Sequence, residues 1–125
     1  MDWLVDTNVL IDHLRGVKKA SLFLRQARKQ NALWVSVITI AEIYAGQKTR
    51  DANEAVKVRR LLRFFRVAYL DGRISAHGGA IARDYAVELP DALIAATALK
   101  KGLRLATRNI KHFQHIPNLT VQAPY

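Results

Sequence analysis

Asp6, Glu42, Asp91 and Asn109 are the residues of this 125-residue chain whose types and positions could do chemistry together. Asp6 ends the strand-like run Trp3-Leu4-Val5, an odd place for a residue that forms strands poorly. Glu42 is expected in the first turn of a helix after a second apolar run, and Asp91 in the first turn of the helix that Pro90 opens. Asn109 follows a further strand, 103–107. All four offer oxygen atoms, and the chain has no cysteine. The cation such a set would hold is a hard one, Mg²⁺ or Mn²⁺, rather than zinc. Each acid also has an ordinary explanation. Asp6 or Thr7 can cap the next helix, Thr39 and Glu42 fit a T-x-x-E capping box, and Asp91 suits the positive end of a helix.

What separates these readings is whether the elements bring the acids together. Residues 3–6 read as a short buried strand and 7–14 as a helix stopped by Gly16. Residues 18–30 space Leu22, Phe23 and Ala27 as a helix would, with Lys and Arg on the other face. Leu33 to Val37 reads as a strand leading into a helix around 40–47. Residues 52–65 form an amphipathic helix with Val58, Leu61, Leu62 and Phe65 as its stripe, and Arg66–Leu70 a third strand. Residues 73–87 are helical, with a break expected at Gly78-Gly79. Pro90 then opens an Ala-rich helix that Gly102 ends. Strand 103–107, a turn or short helix at 108–115 and a last strand in Leu119 to Ala123 complete the chain. Short apolar strands alternating with helices predict a three-layer α/β/α domain with a mainly parallel central sheet, a single domain over 1–125. In such sheets ligands bind beyond the carboxyl ends of the strands, and all four residues are expected there. Crowded carboxylates repel and raise one another's pKa, a penalty that a bound cation turns into a site.

Twenty Lys and Arg against ten Asp and Glu give a formal charge of +10, which favours a polyanionic partner, nucleic acid first. Metal-assisted hydrolysis of a phosphodiester by an activated water then follows from charge and donor set together. Arg108, beside Asn109, is the best-placed phosphate contact, and Thr7, Asn8 and Thr107 are expected to support the site. Half the residues are hydrophobic, which excludes a disordered tail. No apolar run approaches the roughly 18–20 residues of a membrane span, and the start of the chain lacks the pattern of a signal peptide. A cytoplasmic protein is the expectation.

Rival readings find less support. His13, His77, His112 and His115 show no H-E-x-x-H and no other metal-binding spacing, with His112 the one closest to the acids. Gly78-Gly79 lacks the spacing of a phosphate-binding loop. Asp6-Thr7-Asn8 has Asn where an Asp-nucleophile phosphatase needs its second Asp. Lys57, Arg59, Arg60, Arg63 and Arg66 could be an RNA track or a contact for an acidic protein, but charged helix faces are common and a solvated face is the leading reading. Residues 40–65 could also form a groove for a partner helix.

Three blocks, VDTNVLID, SVITIAEIYAG and LPDALIAATALKKGLRLATRNIKHF, resemble the PIN-domain family, and within it the VapC-type ribonuclease toxins of toxin–antitoxin pairs. The resemblance covers essentially the whole chain. It implies an Mg²⁺- or Mn²⁺-dependent endoribonuclease, usually a homodimer, inhibited by a cognate VapB-like antitoxin whose C-terminal segment reaches the active site. It also implies Asp6, Glu42 and Asp91 as metal-binding catalytic acids, with Asn109 at a fourth position that is commonly Asp. His112 stands where many relatives carry another Asp. The resemblance leaves two alternatives open: a catalytically weak module that binds RNA or an antitoxin, and a housekeeping RNA-processing nuclease.

Overall fold

Alternation of side chains along each strand divides the interior into two cores. The computed structural model describes residues 1–125. Their elements run β1 (Trp3–Val5), α1 (Thr7–Leu14), α2 (Lys18–Gln30), β2 (Leu33–Ser36), α3 (Val37–Ala45), a 3-10 turn (Gln47–Arg50), α4 (Ala52–Leu62), β3 (Phe65–Ala68), α5 (Gly72–Tyr85), α6 (Leu89–Lys101), β4 (Arg104–Ala106), α7 (Ile110–Phe113) and β5 (Val121–Gln122). The five strands form one sheet in the order β3-β2-β1-β4-β5, and every pairing is parallel. Trp3, Val5, Leu33 and Val35 face a core shared with α1, α2 and α4. Leu4 and Leu105 face a second core built with α5, α6 and α7. Leu4 is fully buried, a side chain worth about 1.5–3 kcal/mol to the fold by area alone. The three-layer α/β/α expectation therefore holds.

Local chemistry sets the element ends. Asp51 caps α4 by accepting from the amides of Asn53 and Glu54, and Asp71 caps α5 through Ile74 N at 2.8 Å. Pro90 sits in the first turn of α6, and Gly102 ends that helix at φ 64°, a left-handed conformation that glycine adopts without strain.

Several expectations are corrected. Leu22 is 49% exposed; Ala20 and Leu24 are the buried residues of α2. The third helix starts at Val37, three residues earlier than expected, because the Ser36 hydroxyl caps it by accepting from Ile38 N. Phe65 belongs to β3 rather than to the helix before it. Gly78-Gly79 breaks nothing, since α5 is continuous through both. A Cβ at Gly78 would stand 2.6 Å from Leu93 Cδ2 and 3.1 Å from Leu93 Cα. Gly78 is therefore the point at which α6 seats closely against α5.

Candidate active site

Strand order reverses at β1, which has β2 on one side and β4 on the other. The carboxyl ends of β1 and β4 therefore border the crevice where an open parallel sheet offers a ligand site. Asp6 leaves β1 there and also caps α1, its Oδ1 accepting from Thr7 N at 2.8 Å. Its amide donates to Ala106 O, at the end of β4. Its Oδ2 accepts from the Thr107 hydroxyl at 2.8 Å and from Asn8 Nδ2 at 3.3 Å. Thr107 Oγ1 in turn accepts from Asn8 Nδ2 and from Asn109 N. Asp6 is 4% exposed. Burial pushes its carboxyl above the usual value; the bonds from Thr107 and Thr7 oppose that, and the charges of Asp91 and Glu42 add to it.

Glu42 lies on α3, but in its second turn, not the first, and the Thr39–Glu42 capping box does not form because Ser36 is the cap. Thr39 is buried instead, with its hydroxyl 2.9 Å from that of Thr7, which lies 2.8 Å from Glu42 Oε1. A hydroxyl has one proton and a carboxylate can only accept. Thr7 therefore donates to Glu42 and accepts from Thr39. Asp91 occupies the first turn of α6, with Oδ2 3.2 Å from His112 Nδ1. Asn109 precedes α7, is exposed, and makes no cap with its side chain.

None of Asp6, Glu42 and Asp91 pairs with Lys or Arg; the one ionisable partner among them is His112. Three carboxylates without a Lys or Arg partner, two of them acting on the charge of the third, form an all-oxygen set that fits a hard divalent cation. No three acidic or histidine side chains converge on one point. His13 bonds to Ser21, away from the acids.

Two residues that the sequence did not single out complete the surroundings. Asp12, 8% exposed, accepts from Arg108 Nη1 at 2.9 Å and from the Tyr125 hydroxyl at 2.5 Å. Burial and Asp12 together hold the Tyr125 phenol well above the ordinary tyrosine range, so it stays a proton donor. The one available signal for Asp12 was its place four residues after Asn8, on the same face of α1.

A family model described as PIN domain matches residues 3–119. The chain is 44% identical over 115 residues to ribonuclease VapC10 of Mycobacterium tuberculosis, covering 88% of this chain and 84% of the relative. It is 30% identical over 128 residues to ribonuclease VapC19 of the same organism, covering 98% of each. Among solved structures, a chain of a toxin–antitoxin complex from Klebsiella pneumoniae superimposes with a TM-score of 0.83 at 35% identity, over 99% of this chain and 98% of that one. A single parallel sheet with a buried acid at the tip of its central strand, matched over nearly its whole length by these relatives, places the chain in the PIN-domain family, among the VapC ribonucleases.

Proposed function

We propose that the chain is the toxin of a toxin–antitoxin pair and acts as an Mg²⁺- or Mn²⁺-dependent endoribonuclease. The observation that carries this reading is Asp6: a buried carboxylate without a cationic partner, raised in pKa, and flanked by Glu42 and Asp91 at the sheet's switch point. Asp6, Glu42 and Asp91 are the residues that would hold the cation. When bound, it would supply a Lewis acid that acidifies water and screens charge building on the phosphate. The chain's own part is orientation. Thr7 N and the Thr107 hydroxyl fix the two oxygens of Asp6, and the Thr7 hydroxyl fixes Glu42. The Asn109 amide is free to steady a water molecule, and Arg108 adds positive charge for the RNA backbone. In-line attack by water expels the 3′ oxygen, leaving a 5′-phosphate and a 3′-hydroxyl.

Two findings support an antitoxin partner over a housekeeping role. The Klebsiella relative is itself part of a toxin–antitoxin complex. The groove of about 410 Å³ between α2 and α4 has Leu24, Leu61 and Phe64 in its lining and Arg25, Arg28 and Lys57 beside them, features that suit an acidic amphipathic helix. The neutral Asn109 and the exposed Glu42 favour the second reading, a weakly catalytic binding module. A metal titration decides between them. The nuclease is expected to cut single-stranded RNA with Mn²⁺ present, stop with a chelator and recover when Mn²⁺ is restored. Binding without metal-dependent cleavage would establish the module, and chelator-resistant cleavage would sink the metal-dependent reading.

A further inference from the structure

Helix α1 grips the 107–109 segment with two side chains from one face. Asn8 Oδ1 accepts from the backbone amide of Arg108 at 3.3 Å, and Asp12 Oδ2 accepts from its guanidinium at 2.9 Å. Asp12 is almost out of water, and a carboxylate so placed needs donors on its oxygens. Arg108 supplies one. Tyr125, beyond β5, reaches back 113 positions along the chain to supply a second to the same oxygen, Oδ2. Yet the Arg108 side chain remains 52% exposed. A guanidinium carries five N–H donors in a rigid fork, and Asp12 engages one of its nitrogens, so the rest stay available. Arg108 also directly follows Thr107, whose hydroxyl holds Asp6.

We propose that Asp12, backed by Tyr125, is a positioning residue that fixes the Arg108 guanidinium as a receptor for an RNA phosphate beside the scissile bond. This rests on the ribonuclease reading above. A planar fork already held in place loses little freedom when it binds a phosphate. A view based on net charge alone predicts the opposite sign. Asp12 cancels the charge of Arg108, so its neutralisation in a chain of formal charge +10 should tighten RNA binding. The sign of the effect therefore decides the matter.

The full chain should be tested with a single-stranded RNA oligonucleotide, by cleavage kinetics in Mn²⁺ and by binding in chelator across a salt series. Asp12→Asn is expected to raise KM by about tenfold, the scale of one charge-assisted hydrogen bond, and to leave kcat little changed. Arg108→Lys keeps the charge but cannot bridge both groups, so it should lose a similar factor with the salt dependence unaltered. Arg108→Ala should also reduce the log–log salt slope by about 0.7. Tyr125→Phe should weaken binding less, in the same direction, and it carries the test if Asp12→Asn does not fold. Binding by Asp12→Asn or Tyr125→Phe as tight as wild type or tighter, or an Arg108→Lys variant equal to wild type, would overturn the proposal. A wild-type chain that binds RNA without cutting it would overturn the nuclease reading instead, and the binding series would still judge the clamp.

Discussion

At the floor of the crevice Asp6 is 4% exposed and both of its oxygens have donors. At the rim Glu42 is exposed and held by one bond from the Thr7 hydroxyl, the Asp91 side chain bonds only to His112, and the Asn109 side chain bonds to nothing in the chain. The floor is made of residues that follow directly on two central strands, where the sheet leaves little freedom. The rim comes from helices and a loop that answer to more distant packing. Geometry at the floor is thus set before any ligand arrives, while the rim is left to adjust to one. Such a division suits a site that must hold one charge rigidly and accept a flexible polymer above it.

The largest expected effect comes from emptying the floor of its charge. Asp6→Asn should lower cleavage by on the order of 10²–10³-fold, as loss of a central electrostatic group does elsewhere. The same change should not destabilise the chain. The Asp6 carboxyl titrates above its ordinary 3.8 in the fold, so between the two values the native state holds a proton that the unfolded chain has released. Stability therefore falls as pH rises from the ordinary value through the raised one. Without metal, thermal unfolding at pH 7 should show Asp6→Asn melting at or a few degrees above wild type; a markedly lower Tm would mean that the floor is structural rather than poised.

Next comes the seat of the rim. Gly78→Ala forces a Cβ against Leu93, two residues from Asp91, and should cost about 1–3 kcal/mol in urea unfolding. An unchanged midpoint would show that α6 can shift freely, and with it Asp91. Thr107→Val removes a donor from Asp6 and should destabilise by about 1–2 kcal/mol. It should also move the acid limb of the pH–rate profile upward, because the bond it removes lowers the Asp6 pKa; a static limb would detach Asp6 from that ionisation. The smallest effect is expected at His112, exposed over more than half its side chain. His112→Gln should change cleavage less than about tenfold and stability by no more than about 0.5 kcal/mol. A loss as large as that of Asp6→Asn would erase the distinction between floor and rim.

What was legible in the sequence follows the same division. The strands could be read, most of them as short apolar runs ended by a polar or turn residue, but the placement of Asp6 beside Thr107 needs the order of strands in the sheet, which the structure supplies. Glu42 lies one turn later than the T-x-x-E pattern predicts, because Ser36, at the strand's last position, already provides the cap. Gly78-Gly79 looked like a break because the reason for a glycine there, Leu93, lies in the next helix. Asp12 escaped notice because one of its partners is 96 residues away and the other 113, and no local pattern announces contacts of that span.

The bond from Thr107 to Asp6 joins residues 101 positions apart, and β1 lies between two strands that are both made after it. During synthesis the first acid therefore emerges early but has no completed surroundings until β4 is delivered and docks beside it. Long-range parallel pairing is a late event in folding. A chain cut short before β4 would leave Asp6 without the Thr107 donor and the crevice without one of its two walls.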